Sequence, residues 1–249
     1  GWNAMEDYNQ SAIEYSMQLL ERLKESRQNS KSTNTKTTKQ PVNYSFRKVS
    51  AAIARAKNVN QASNALTSAN SALSALRRKS ASGQYNDDEL QIAINHAKKM
   101  VRVARKKVQN IRRESQMESD DKGTVHRKQN ETGQKIVRRR KKADEKEDAL
   151  QELQLLKKQM KTRREQEKYS HRRHEGQNLM SADMEYLQKM IRLLKNEGFG
   201  TINATSDLMF ADEQTGTITY STTAAATTTT TSTGEGAASA TVEAPVSAE

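Results

Sequence analysis

Residues 87–113 read DDELQIAINHAKKMVRVARKKVQNIRR, and apolar side chains recur in this stretch at alternating intervals of four and three positions. Seven residues form this heptad seam: Leu90, Ile94, Ala97, Val101, Ala104, Val108 and Ile111. A stripe this narrow is typical of a helix that packs against one or two other helices. We therefore predict a long helix from Asp87 to about Gln116, with the seam as its association surface.

A second long helix is predicted immediately upstream, from Phe46 to Ser80. Its inward candidates are Val49, Ile53, Ala56, Ser63, Leu66, Leu73 and Leu76, and further alanines crowd the same region. Alanine is the best helix former, and its small side chain lets two backbones approach closely. We expect Gly83 to end this helix in the left-handed conformation. Asn86 should cap the next helix, with Glu89 completing a capping box.

Residues 46–118 should thus form a basic helical hairpin. Before it, residues 1–27 are predicted to be an amphipathic helix, because Ile13, Met17 and Leu20 follow helical spacing. Two polar stretches without apolar periodicity are predicted to be linkers, at residues 28–45 and 119–134.

Two further helices are predicted within residues 135–198. The first is highly charged and runs from Lys135 to about His171, and the second is amphipathic and runs from Leu179 to Lys195. The apolar positions of the second helix repeat the heptad spacing: Met180, Met184, Leu187, Ile191 and Leu194. Residues 199–249 are a Thr/Ala-rich acidic tail of low complexity, which we expect to be disordered.

The composition favours thin helical layers over a thick globular core. Of the 249 residues, 33% are apolar and only 4% are aromatic, whereas 29% are charged. The net charge is +12, but residues 198–249 contain six acidic and no basic residues, so the rest carries +18. We predict an all-α, elongated protein, built on a helical hairpin or coiled coil with additional amphipathic helices.

No motif points to catalysis or to a bound cofactor. The sequence lacks a nucleophile elbow, a phosphate-binding loop and a zinc-protease motif. His171 and His174 share a helix face, but arginines separate them and we predict no metal there. We interpret the acidic residues 87–89 as helix-start residues, because negative charge is favoured at the start of a helix. We interpret His96 as a polar residue that borders the seam. We expect no enzyme, cofactor, metal or small-molecule substrate.

The predicted second hairpin helix is basic on its remaining faces. No acid lies between Glu89 and Glu114, and eight cations fill the interval: Lys98, Lys99, Arg102, Arg105, Lys106, Lys107, Arg112 and Arg113. Solvated helix faces usually interleave both signs of charge. A run of one sign is costly unless an acidic partner neutralises it, so this basic face is the second candidate binding surface.

Three interpretations of the basic face remain open. The favoured one is assembly, in which heptad seams and basic faces build a structural scaffold or a self-assembling homo-oligomer. The alternative is binding to nucleic acid without sequence preference, driven by phosphate contacts and counterion release. Against it, the aromatic platforms that stack on single strands are absent. The third is binding to an acidic protein or to membrane lipid, although the small side chains of the seam disfavour a membrane surface.

One part of the chain resembles a known group of proteins. Four features resemble uncharacterised basic helical-hairpin proteins of anaerobic Gram-positive bacteria. They are the turn with Gly83, Tyr85 and Asp87, the run from His96 to Met100, the Lys/Arg ladder after it and the upstream segment 53–57. The resemblance covers roughly a third of the chain. It implies a bacterial, cytoplasmic setting and brings no activity or catalytic residue. The absence of a long apolar run and of a signal-peptide core agrees with that expectation.

Overall fold

The computed structural model describes residues 2–31, 39–139 and 143–198, which all belong to one compact unit spanning residues 1–204. Five helices make up nearly all of the described chain: α1 (Trp2–Lys31), α2 (Phe46–Arg55), α3 (Val59–Ser82), α4 (Asp87–Arg139) and α5 (Ala143–Asn196). No strand occurs within these ranges, so the all-α prediction is confirmed. Its coiled-coil element stays a prediction, and the predicted tail, residues 199–249, lies outside the described residues.

Helix α4 is the central element of the fold. It has 53 residues, a length of about 80 Å at 1.5 Å per residue. Helices α3 and α5 both pack along it, α2 contacts all three, and α1 packs on α5. Helix α5 runs antiparallel to α4, because Lys99 pairs with Glu185 whereas Asp121, further along α4, pairs with Arg163.

The seam of α4 is covered by helices of the same chain. All seven seam residues are buried, and Ala97 is completely inaccessible to solvent. Ala56 and Ala62 pack against Val108 and Ile111, two seam residues near the middle of α4. The small side chains therefore permit close packing between α4 and the upstream helices, as their spacing predicts.

The turn between α3 and α4 has the predicted ends. Gly83 has a φ of +67°, which favours glycine, and its N–H donates to the carbonyl of Ser80 at 3.4 Å. The side-chain oxygen of Asn86 accepts from the backbone N–H groups of Asp88 and Glu89 at 3.0 and 3.1 Å, which is an N-cap.

The predicted capping box is wrong. The backbone N–H of Asn86 donates to the carbonyl of Gln40, and the Glu89 carboxylate points elsewhere. Glu89 is buried, forms an ion pair with Arg27 of α1 and accepts from the backbone N–H of Val42 at 2.9 Å. A long-range partner thus replaces the local one, and Glu89 ties the start of α4 to α1 and to the segment before α2.

The upstream helix of the predicted hairpin is two helices. Helix α2 ends at Arg55, Ala56 is extended, and α3 begins at Val59. Asn58 caps α3 by accepting from the N–H of Gln61 at 2.9 Å, and Gln61 in turn accepts from the N–H of Lys57. The run of alanines hid this break, because the alanine spacing continues across it. The helix nevertheless ends there, and Asn58 caps a new one.

Three predicted boundaries are corrected. The predicted linker at 119–134 is helical, since α4 continues to Arg139. The segment predicted as one charged helix from Lys135 includes the end of α4 at Arg139 and the start of α5 at Ala143, and α5 then continues without a break to Asn196. Helix α1 extends into the predicted linker 28–45 as far as Lys31. Pairing between α4 and α5 overrides the weak local propensity of 119–134.

The far halves of α4 and α5 form an arm. Ala62, near the start of α3, packs against Ile111, so α4 beyond that residue extends past α3. We call residues 115–139 of α4 together with residues 143–170 of α5 the arm. Asp121 and Leu153 are the only buried side chains described in it, so the arm has little apolar core.

Candidate anion-binding face

Five of the eight predicted basic residues remain exposed and unpaired. They are Lys98, Arg102, Arg105, Lys106 and Arg112, and we call them the cationic stripe. None of them forms an ion pair with any residue that the structure describes. All five charges are therefore available to an external anion.

The cationic stripe follows one side of α4 for about 21 Å, from Lys98 to Arg112, at 1.5 Å per residue. At 3.6 residues per turn, Arg102 lies on the side of α4 opposite to Lys107, which faces α2 and α5. Helix α3, which packs on the adjacent seam, presents a neutral or basic surface. Its exposed residues include Asn60, Asn64, Thr67, Ser68, Asn70, Ser71, Ser74, Arg77 and Arg78. The sequence has no acid between Glu25 and Asp87, so α3 adds no negative charge beside the stripe.

The other three predicted basic residues are neutralised inside the chain. Lys99 forms an ion pair with Glu185, and Arg113 pairs with Glu167 at 3.0 Å through Nε. Lys107 is buried and pairs with Glu175. For these three cations the acidic partner is α5, which sequence reasoning missed because the acids lie more than fifty positions downstream.

Lys107 joins three helices. Its Nζ atom donates to Glu175 at 2.6 Å and to the carbonyls of Ile53 and Ala54 at 2.5 and 3.1 Å. The last carbonyls of a helix lack the usual intrahelical partners, and Lys107 donates to two of them at the end of α2. The carbonyl of Ile53 also accepts from the N–H of Ala56 at 3.3 Å. Burial lowers the pKa of Lys107, and the hydrogen bond with Glu175 opposes that shift. Its spacing from the buried residues Met100 and Val103 places Lys107 on the same side of α4, but spacing alone does not predict that a lysine is compensated there.

A second buried network surrounds His96, which is 3% exposed rather than a boundary residue as predicted. Its Nε2 atom lies 2.8 Å from Oδ1 of Asp183, and its Nδ1 atom lies 2.8 Å from the hydroxyl of Tyr44. Asp183 also accepts from Ser50 at 2.8 Å and from Arg47 at 3.2 Å. These residues link the segment before α2, α2, α4 and α5.

The hydroxyl–imidazole–carboxylate order of Tyr44, His96 and Asp183 resembles a catalytic relay, but the three groups form their hydrogen bonds with one another. The recess beside His96 holds about 10 Å³, which is no more than one water molecule occupies. Tyr186 packs against both Tyr44 and His96. Burial raises the pKa of Tyr44, with the Asp183 charge adding to the shift, and burial likewise raises the pKa of Tyr186. The arrangement is that of a structural network.

The remaining buried carboxylates join α4 to α5. Glu114 accepts from Arg172 at 3.0 Å, and its other oxygen lies 2.8 Å from Nδ1 of His171. His174 instead contacts the carbonyl of Ser170, so the two histidines serve different partners. Within the described ranges, no three His, Asp or Glu side chains come together as metal ligands.

Comparison with known proteins finds no match among protein-family models, curated proteins or solved structures. The resemblance to basic helical-hairpin proteins therefore stays a prediction. In the described part of the chain, no helix combines the length and the apolar character that crossing a bilayer requires. The site itself is the basis for a functional proposal.

Proposed function

We propose that this protein binds nucleic acid without sequence preference through the cationic stripe of α4. The observation that carries the proposal is the pairing pattern: three of eight cations are neutralised within the fold, and the five on one side of α4 are not. A row of unpaired cations along a rigid helix suits a regularly spaced polyanion, and a phosphate backbone is such a polymer.

The burial of the seam weighs against the interpretation that the sequence favoured. Assembly through the heptad seam requires its side chains to meet another subunit, but they are covered by the chain's own helices. The cationic stripe is on the exposed side of α4, and this supports the alternative interpretation.

The chemistry of the stripe fits phosphate contacts. Three of its five members are arginines, whose planar guanidinium groups bind phosphate oxygens in a bidentate manner. The exposed Asn, Ser and Thr side chains of α3 are suitable donors to phosphate and sugar oxygens. No aromatic residue lies in the stripe, so bases would not be stacked and sequence would not be read.

The proposal is tested by fluorescence anisotropy with a labelled duplex of random sequence, titrated with salt. If five phosphates are neutralised, the slope of log K against log salt should be about −4.5. The variant Arg102→Gln/Arg105→Gln/Lys106→Gln should reduce the magnitude of this slope by about 3. Its helical circular dichroism should be unchanged, because all three side chains are exposed.

A control variant separates the stripe from net charge alone. Arg127, Lys168 and Arg192 are exposed and dispersed over α4 and α5, and changing all three to Gln removes the same charge. The control should keep nearly the full slope. Equal losses in both variants, or no binding at about 50 mM salt, would overturn the proposal. Equally tight binding to polyglutamate would also overturn it, because phosphate geometry would then play no part. So would equally tight binding to anionic lipid vesicles, because the regular spacing of a phosphate backbone would then play no part.

A further inference from the structure

Helices α2 and α3 leave an open groove between them, with a volume of about 470 Å³. Lys79, near the end of α3, donates to the carbonyl of Asn43, just before α2, at 3.4 Å. Residues 56–58 join the other ends of the two helices, which are therefore antiparallel. Sites for small molecules have volumes of about 300–1,000 Å³, so the groove is large enough to hold a ligand.

The surface of this groove is mostly apolar. Its apolar lining comes from five residues of the two helices: Val49, Ala52, Ala72, Ala75 and Leu76. All of them except Leu76 are only half-buried, although each helix also places other apolar residues in the core. A ligand with an apolar body would remove this surface from water, which is the main favourable term in the binding of apolar groups.

One end of the groove is cationic. Lys48 is in the first turn of α2 and Lys79 is in the last turn of α3, and both line the groove. No lining residue is acidic, and neither lysine forms an ion pair with any residue that the structure describes. Lys79 is half-buried, and its Nζ atom lies 5.2 Å from the centre of the Tyr85 ring. Its lost hydration is not offset by a carboxylate, so this end of the groove favours an anion.

The opposite end of the groove is uncharged, because the lining residues there are Ala52, Thr67 and Ser68. From Ser45 to Ala52, the wall formed by α2 is about 10 Å long at 1.5 Å per residue. An extended chain advances about 1.2 Å per bond, so this length holds about eight bonds of one chain. A groove with cations at one end and apolar surface along the rest is complementary to an amphipathic anion with a single apolar chain.

We propose that the groove between α2 and α3 binds an alkyl carboxylate of about eight to ten carbons. The carboxylate lies between Lys48 and Lys79 and accepts charge-assisted hydrogen bonds from them. The alkyl chain covers the half-buried surfaces of Ala52, Ala72 and Ala75. A neutral ligand, or an apolar helix of a partner protein, would leave both lysines without a counter-charge, which favours the anion as the occupant.

This site is independent of the proposed nucleic-acid binding. No residue of the cationic stripe lines the groove, and neither lysine of the groove belongs to the stripe. Either surface can therefore fail while the other works. The variant Arg102→Gln/Arg105→Gln/Lys106→Gln should keep its affinity for alkyl carboxylates, and Lys48→Gln/Lys79→Gln should keep the salt slope of duplex binding.

The first test is isothermal titration calorimetry of the full chain with sodium decanoate. We expect saturable binding at one site with a Kd of about 1 mM or below. A fully buried methylene raises affinity about fourfold, and a groove open along one side buries about half of it. The series hexanoate, octanoate and decanoate should therefore gain about twofold per methylene.

Decylammonium chloride is the control for the first test, because it has the same chain with a cationic head. It should bind at least about tenfold more weakly than decanoate. Absence of saturable binding up to about 5 mM decanoate would overturn the proposal. Equally tight binding of decylammonium would also overturn it, because the lysines would then play no part.

The second test fills the groove. Ala72→Leu places a larger side chain in the open space, so decanoate affinity should fall at least about tenfold while helical circular dichroism is unchanged. Ala75→Leu, one turn further along the same wall, should give the same loss and guards against an effect on folding at position 72. Ala81→Leu is the matched control, because Ala81 is an exposed residue of α3 outside the groove. Equal affinities in the groove variants and this control would contradict the assigned site.

The third test removes the cations. Lys48→Gln/Lys79→Gln should weaken decanoate binding by about tenfold or more, because charge-assisted hydrogen bonds are lost. Lys57→Gln/Arg78→Gln removes the same charge from exposed positions outside the groove and should keep the affinity. Equal losses in the two double variants would show that net charge alone attracts the carboxylate, and would overturn the proposal.

Discussion

The Nζ atom of Lys107 lies 2.6 Å from Oε1 of Glu175, and both side chains are buried between α4 and α5. The same ammonium group donates to two carbonyls at the end of α2. A single cation thus holds three helices that are separate in sequence. Breaking a buried ion pair leaves an uncompensated charge, which is more damaging than replacing both partners with apolar groups.

Removing only the cation should therefore destabilise the fold strongly. Lys107→Met leaves Glu175 without its partner and should lower the free energy of unfolding by about 3–5 kcal/mol. Lys107→Met/Glu175→Leu should recover part of this loss, because no buried charge is left unpaired. Urea unfolding monitored by circular dichroism gives both values. Equal losses in the single and double variants would show that the contacts with the α2 carbonyls dominate.

The buried Tyr186 and the partly buried Tyr44 should make the fold sensitive to alkaline pH. The pKa values of Tyr44 and Tyr186 are raised from 10.0 by burial, so the unfolded chain releases these protons first. The stability they contribute is complete below pH 10 and falls above it, by about 1.4 kcal/mol per pH unit for each tyrosine. In a tyrosinate absorbance titration, we expect two protons to be released only at unfolding. Tyr44→Phe should reduce that late step to one proton.

The Asp183 carboxylate should be a larger contributor to stability than its single negative charge suggests. Asp183→Ala removes the acceptor shared by Ser50, His96 and Arg47, and leaves buried donors unsatisfied. We expect a loss of about 3 kcal/mol in the free energy of unfolding, and a smaller loss for Asp183→Asn. Asp144→Ala, an exposed carboxylate on α5, serves as the control and should change stability little. A similar effect of both alanine variants would contradict the role of the network.

Adjacent positions on α4 should respond in opposite ways to a negative charge. Val101 is buried in the seam, and Val101→Asp should cost more than about 4 kcal/mol or unfold the chain, as should Ala97→Glu. Arg102→Glu changes an exposed residue and should alter stability by about 0.5 kcal/mol or less. Thermal unfolding by circular dichroism compares them directly. Equal destabilisation at positions 101 and 102 would refute the division into seam and stripe.

Local signals accounted for much of the helical framework. The helix end at Gly83 and the cap at Asn86 follow from the chemistry of single residues, and the seam follows from spacing alone. The break between α2 and α3 carried a local signal as well, in Asn58 and Gln61, but the alanine pattern obscured it. The continuous helix through residues 119–134 had none, because its support comes from α5.

By itself, the sequence determined where helices begin at strong caps and which side of α4 is apolar, because these depend on neighbours within a few residues. Only the tertiary structure decided that Lys107 enters the core while Lys106, an identical side chain one position earlier, stays in solvent. The same holds for Glu89, whose local capping role gave way to Arg27. A charge is buried only where distant groups compensate its lost hydration, and the positions of those groups are set by packing rather than by local sequence.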